Sequence, residues 1–382
     1  MNIYFDNAAT TALHHEVVAK MTEVLTDNYG NPSATYALGR KTRTLIETAR
    51  KQIAQQLGAQ SSEIIFTSGG SEADNLILRG CVRDLGVRVI ITSLIEHHAV
   101  LHTVEALAKE YGVQIEYVHL TAEGDVCLQH LETLLQQYAA QKVLVSLMHV
   151  NNEIGNILPL ATVAAFCKKY GAYFHSDTVQ SVAHLPIDLR EVPVDFITAS
   201  AHKFHGPKGV GFAFIRKGIV LHPLIYGGEQ EKGLRAGTEA VHNIVGMQEA
   251  LKLAYRDRAS HTEKLQLLKQ YFIAALKEHF PEVVFNGNSQ DEEKSSHTIL
   301  NVGFSNWENK KDTLLFELDL KGVACSKGSA CQSGSVGESH VLQAFLPAES
   351  LRYPSLRFSF SIQNTTEEVD NLIKILGEIA KK

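Results

Sequence analysis

Between about residues 40 and 240, short apolar runs alternate with helical patterns, and this confines the chain to a mostly parallel sheet covered on both faces. The strand-like runs include Glu63–Thr67, Arg88–Thr92, Lys142–Leu147, Ala172–His175 and Val194–Thr198. In such sheets, ligands gather at the carboxyl ends of the strands. The chemistry of this chain is therefore expected in the residues just past each run. Leu45, Ile46, Ala49, Ile53 and Leu57 keep helical spacing before Gly58 supplies a stop. Val369, Leu372, Ile373, Leu376 and Ile379 do the same near the C-terminus, where Thr365 and Glu368 make a capping box. Beyond about residue 245 the alternation gives way to two long helical stretches and short strands such as Thr298–Val302 and Ser355–Ser359, which predicts a second, smaller domain. The expected division is 13–256 for a large domain, and 1–12 with 257–382 for a small one.

Lys203 follows the run Val194–Thr198, inside Ser200-Ala201-His202-Lys203-Phe204-His205-Gly206-Pro207-Lys208-Gly209. A lone lysine is most often a solvated charge. Here Ser200 and His202 add a hydroxyl and an imidazole that can reach phosphate oxygens, and Gly206, Gly209 and Gly211 allow close backbone approach. A lysine so placed can carry an aldehyde cofactor, pyridoxal 5'-phosphate (PLP), whose enzymes need a Schiff-base amine, a phosphate cradle and an acid beside the pyridinium nitrogen. Gly70 and Ser71, in Thr67-Ser68-Gly69-Gly70-Ser71-Glu72-Ala73-Asp74-Asn75, would place N–H groups and a hydroxyl at a helix N-terminus that suits phosphate; Ser71 with Asp74 also reads as a capping box. Asp177 ends a buried run, where its carboxylate needs a cationic partner such as a protonated pyridine. Gln180 and Asn152 can hydrogen-bond the phenolic oxygen of the same ring. His97 can lie on the ring and move protons, with His98 beside it as the rival.

Cys331 lies in the small-residue stretch Lys327-Gly328-Ser329-Ala330-Cys331-Gln332-Ser333-Gly334, which reads as a loop open to a substrate, with Lys327 near enough to favour a thiolate. Cys325 reads as a packed residue at a strand end, with a resolving role for its thiol as the alternative. The five cysteines are too few and scattered for a disulfide framework, which suits a reducing cytoplasm. A net charge of -6 argues against a general nucleic-acid binder, and the chain lacks a signal pattern or a long apolar run for a membrane. His98 and His102 have the spacing of two ligands on one helix face, but no acidic third ligand accompanies them, so no metal is expected.

With these residues assembled, the chain resembles the cysteine desulfurases, PLP enzymes of fold type I in the aminotransferase superfamily. The likeness runs from Tyr4-Phe5-Asp6-Asn7-Ala8-Ala9-Thr10-Thr11 through Tyr29-Gly30-Asn31-Pro32-Ser33 and Arg235-Ala236-Gly237-Thr238 to Arg357. The Gly-Ser-Ala-Cys stretch is similar to the long-loop class that serves nitrogenase and housekeeping iron–sulfur clusters. The resemblance implies that Lys203 forms the Schiff base and that Gly70, Ser71, Ser200 and His202 bind phosphate. It gives Asn152, Asp177 and Gln180 to the ring, Arg357 with Asn31 to the substrate carboxylate, and Thr238 to the phosphate of a neighbouring subunit in a homodimer. It implies conversion of L-cysteine to L-alanine with a persulfide on Cys331, His97 as proton shuttle, and a sulfur acceptor such as an iron–sulfur scaffold or a thiolation protein. Ser71 stands where many relatives have Thr, Gln332 follows the cysteine where Thr is frequent, and the chain ends at Lys382 without the tail that helps relatives dock a scaffold. Selenocysteine lyase shares the fold and much of the site. A transaminase would leave the Cys331 loop without a purpose, and an idle PLP-fold assembly protein would not need the full set of Lys203, Asp177, His97, Cys331 and Arg357.

Overall fold

The computed structural model describes residues 3–328 and 338–381. Its strands are β1 (Ile3–Tyr4), β2 (Ile64–Thr67), β3 (Val89–Thr92), β4 (Gln114–Tyr117), β5 (Val143–Ser146), β6 (Tyr173–Asp177), β7 (Phe196–Ser200), β8 (Gly211–Ile215), β9 (Val283–Phe285), β10 (Ile299–Phe304), β11 (Val323–Ala324) and β12 (Ser355–Ser359). The helices are α1 (His15–Asp27), α2 (Ala37–Gln56), α3 (Gly70–Arg83), α4 (His98–Tyr111), α5 (Leu128–Gln137), α6 (Leu160–Tyr170), α7 (Val241–Arg256), α8 (Arg258–His279), α9 (Leu314–Leu320), α10 (His340–Phe345) and α11 (Thr366–Ala380).

β2-β8-β7-β6-β5-β3-β4 form a seven-stranded sheet in which β8 alone runs against its neighbours. The fold is thus α/β with a mostly parallel sheet, as the alternation requires. β2, β3, β5, β7 and β8 are buried along their whole length, which is why they read as unbroken apolar runs rather than alternating ones. One core, with Val17, Ile53, Val145, Phe174 and Leu251, lies on one face of this sheet; a second, with Ile77, Ile90, Val104 and Phe196, fills the other.

A third core joins Ile3 and Phe5 to Phe272, Phe358, Leu372 and Leu376. It is built on the antiparallel sheet β12-β10-β9, on the parallel pair β1-β11 and on α8 and α11. Thr365 caps α11 with Glu368 as expected. The seam between the cores is hydrogen-bonded, Ile157 N to Lys294 O at 2.9 Å and Ser296 N to Gly155 O at 2.8 Å. Lys269, buried in α8, donates to Ser295 Oγ at 2.9 Å and Ser296 O at 2.8 Å, and burial pushes its pKa down to about 7.

Candidate active site

The carboxyl ends of β2, β3, β5, β6 and β7 open on one cavity of about 170 Å³. Its walls include Gly70, Ser71, His97, Asn152, Asp177, Gln180, Ser200, His202, Lys203 and Arg357, so ten of the residues singled out in the sequence come together here. All of them but Arg357, which comes from β12 of the smaller sheet, stand at the same side of the large sheet because its parallel strands all end there.

Lys203 ends a short turn after β7. Its Nζ donates to Ala8 O at 2.5 Å and Ala9 O at 2.9 Å, so the first residues of the chain form its seat. Asp177 closes β6 and accepts from Val179 N at 2.9 Å and from Thr198 Oγ1 at 3.4 Å. Burial, then the neighbouring Asp74, push its carboxyl up to about 7; this is an acid short of a cation. His97 caps α4, its Nδ1 accepting from Ala99 N at 3.1 Å, which leaves the proton of the neutral ring on Nε2. Burial and the charge of Lys203 push its pKa down to about 4, and the same two causes hold His202 at about 4. His98 instead packs on His102 and His340.

α3 begins at Gly70 with Gly69 as N-cap and no capping side chain, so its first N–H groups face the cavity end without a side-chain acceptor. A Cβ on Gly70 would lie 2.7 Å from Val179 Cγ2, and one on Gly211 would lie 2.2 Å from Ala199 O and 2.8 Å from Gly69 Cα. The missing side chains let the helix start lie against Val179, just past β6, and let β8 lie against β7 and Gly69. The reading of Ser71 and Asp74 as a capping box is corrected: Glu72 turns back to Ser68 N at 2.7 Å, and Asp74 points inward, 1% exposed. Asp74 falls on the apolar stripe of Ala73, Ile77, Leu78 and Cys81, and that position was the sign that it is not a cap.

Arg357, 1% exposed on β12, donates through Nη1 to Asn152 O at 2.8 Å and through Nη2 to Asp6 Oδ1 at 2.7 Å. Its Nε and the buried Asn152 Oδ1 have no partner among the described residues. A cavity with a bare helix start, a carboxyl lacking a cation, a seated lysine and an orphaned amide oxygen fits a group with a phosphate, a basic ring nitrogen and an aldehyde. Sequence reasoning missed Asp6, Ala8, Ala9, Asp74 and Met148 on or beside this cavity. Two alanine carbonyls carry no side-chain signal, whereas Asp6 stood at the end of an apolar run.

Thr238 and Asn31 do not line the cavity of this chain. Both are exposed, in loops that Gln230 connects by bonding Ser33 Oγ at 3.5 Å and Gly237 N at 3.1 Å. Cys331 lies outside the described residues. Beside that segment, Lys327 Nζ stands 3.9 Å from Asp312, and Ser339 donates to the buried Glu153. Cys325 follows β11, and burial pushes its thiol far up, in keeping with a packed and inert cysteine. Among the described residues the metal-like grouping is His14, His15 and Glu16, not His98 and His102, and no helix is long and apolar enough to cross a membrane.

The model of the class-V aminotransferases matches residues 3–372. The chain belongs to that family. It is 42% identical over its full length to the cysteine desulfurase IscS of Dictyoglomus turgidum, of which it covers 95%. It superposes on a solved NifS-like protein with a TM-score of 0.90 at 35% identity, each chain covered completely. A structure of SspA in complex with cysteine matches 95% of this chain, and 100% of that one is covered, with a TM-score of 0.81 and 31% identity. The fold is that of PLP enzymes of type I, and the family implies dependence on PLP.

Proposed function

We propose that this protein is a cysteine desulfurase working by the reaction L-cysteine + Cys331–SH → L-alanine + Cys331–S–SH, and that the sulfur goes on to iron–sulfur cluster assembly. The observation that carries this reading is the meeting of Lys203, Asp177 and Arg357 in one cavity, in a chain that matches desulfurases end to end.

In this reading the start of α3 (Gly70 and Ser71), Ser200 and His202 hold the cofactor's phosphate, Asp177 pairs with its ring nitrogen, and Asn152 and Gln180 hold its ring oxygen. PLP, when bound, supplies an electron-withdrawing ring that makes the substrate Cα–H acidic. Lys203 would take the Cα proton, and its seat on Ala8 O and Ala9 O would fix the direction from which it does so. His97 holds a proton at Nε2 and passes it without becoming a permanent charge. Arg357 receives the substrate carboxylate in a bidentate fork, whereas Asn31, given to the same carboxylate by likeness, lies outside this chain's cavity. The Cys331 thiolate attacks the substrate sulfur, the C–S bond breaks, and its electron pair leaves with the carbon that becomes alanine's methyl group.

The same reading makes the protein a cytoplasmic homodimer in which Thr238 of each chain reaches the phosphate of the other site, and divides the chain into 13–256 and 1–12 with 257–382. The exposed position of Thr238 away from its own cavity supports the first of these. The test pairs wild type with Cys331→Ala: both are expected to show the visible band of bound PLP, and wild type alone to form alanine and sulfide from L-cysteine under a reductant. Full activity in the variant removes Cys331 from the reaction, and failure of both to take up PLP removes the enzyme reading.

A further inference from the structure

β2 is an edge strand of the large sheet, with β8 on one side and no strand on the other among the described residues. An edge leaves backbone groups without a ladder partner. Here two charged side chains stand where a neighbouring strand would be: Arg50 Nη1, from α2, donates to Ile64 O at 2.8 Å, and Glu231 Oε2 accepts from Phe66 N at 2.8 Å. The two side chains also hold each other, Nη1 to Oε2 at 2.7 Å and Nη2 to Oε1 at 2.8 Å, and both residues are buried, 2% and 5% exposed. The Arg50 guanidinium lies over the Phe66 ring, 4.6 Å from its centre. A buried ion pair is sustained where its geometry is bidentate and its further hydrogen bonds are met, and this pair has both.

Glu231 reaches that place with a disfavoured backbone. It and Lys232 both sit in the left-handed region, at φ 47° and 60°, where a side chain crowds the chain, and Gly233 follows at φ 80°. Strain of this kind persists only where the surroundings impose it, and here Arg50 and the β2 edge do so. Farther along the same loop, Arg235 Nε pairs with Glu72 Oε1 at 3.0 Å, and Glu72 also accepts from Ser68 N in front of α3. Gln230 Oε1 accepts from Gly237 N at 3.1 Å. Residues 229–238 are thus anchored at Glu231 and Arg235, while Thr238 at their end is exposed and outside the cavity of its own chain.

We propose that Glu231 is a positioning residue: its carboxylate clamps the loop 229–238 to the edge of β2, and the clamp sets the direction in which the loop presents Thr238 to the phosphate site of the partner subunit. The destination of Thr238 rests on the homodimeric desulfurase reading; the clamp does not. A threonine hydroxyl has one proton to give to a phosphate, and that bond is lost when the loop carrying it is free to turn.

A double-mutant cycle on the dissociation constant for PLP reads whether Glu231 acts through Thr238. Thr238→Ala and Glu231→Gln are each expected to weaken binding about tenfold, and the two together about tenfold as well, because a hydroxyl already removed cannot be misplaced. A combined loss of about a hundredfold means independent effects, as a general loosening of the fold would give, and overturns the proposal. Glu231→Gln leaves the Arg50 charge buried without a counter-charge, so Arg50→Met with Glu231→Leu, which removes both charges, carries the same expectations if the single variant does not fold. Amide hydrogen exchange of the protein without cofactor supplies a second readout: Phe66 N–H and residues 229–238 are expected to exchange about tenfold faster or more in either variant. Protection equal to that of wild type means that no clamp exists. If Thr238→Ala binds PLP as tightly as wild type, the shared-site reading falls, while exchange at Phe66 still decides whether Glu231 holds the loop.

Discussion

The cavity has two walls built on different electrostatic terms. The wall from the strand ends carries Asp177, Asp74 and, nearby, Glu96, all pushed up by burial and lacking a full cationic partner, beside neutral His97 and His202. The opposite wall carries Arg357, which is already paired with Asp6 and bonded to the Asn152 carbonyl. One wall lacks a cation, and the other already holds its cation in an ion pair, with only Arg357 Nε left without a partner among the described residues. The first suits a resident group that makes the site whole. The second suits a substrate that comes and goes, because its cationic fork is held in place between turnovers.

The largest effect that tests this contrast comes from the lysine between the walls. Lys203→Ala is expected to lower alanine formation from L-cysteine by about a thousandfold or more. Retained activity would mean that another amine serves. Asp177→Ala removes the acceptor on the incomplete wall, and equilibrium dialysis should show PLP binding weakened by about a hundredfold, the loss expected when one partner of a buried charge pair is deleted. Affinity equal to wild type would show that this wall is indifferent to charge.

Arg357→Lys keeps the cation on the other wall but not the fork, so KM for L-cysteine should rise about tenfold while PLP affinity changes less. Loss of PLP in that variant would erase the distinction between the walls. The smallest effect is in the protein without cofactor. Acids whose folded pKa is raised bind more protons folded than unfolded, so stability is full below the ordinary carboxylate range. It is lost as pH rises toward about 7 for Asp177 and Asp74 and about 8 for Glu96. The buried histidines held at about 4 act with the opposite sign below about pH 6.5, so the acids' share is read as a difference: the Tm of cofactor-free wild type relative to Asp177→Asn should fall as pH rises from mildly acidic toward about 7. Added PLP should flatten that slope, and a slope of the opposite sign would contradict the incomplete wall.

The sequence made much of this legible. Strands buried on both faces announce themselves as apolar runs, and a polar residue at the end of such a run stands out, as Asp177, His97 and Lys203 did. Asp74 did not, because a carboxylate three residues after Ser71 satisfies a capping pattern, and only packing reveals that the residue turns inward. The seat of Lys203 was hidden for another reason: backbone carbonyls of Ala8 and Ala9 have no identity in a sequence, and their place depends on a contact across some two hundred positions. Asn31 and Thr238 were read as site residues from likeness alone. Their own chain keeps them outside the cavity, a location that no local pattern encodes.

That same seat bears on how the protein is made. Ile3 and Tyr4 pair with Val323 and Ala324, and Phe5 packs against Phe272 and Phe360, so β1 has no partner until some three hundred later residues have been made. Ala8 and Ala9 belong to this waiting segment. The large sheet can assemble during translation, but its lysine gains its two carbonyl acceptors only when the segment around Phe5 meets the segments around Val323 and Phe360, which makes competence for catalysis wait on that distant contact.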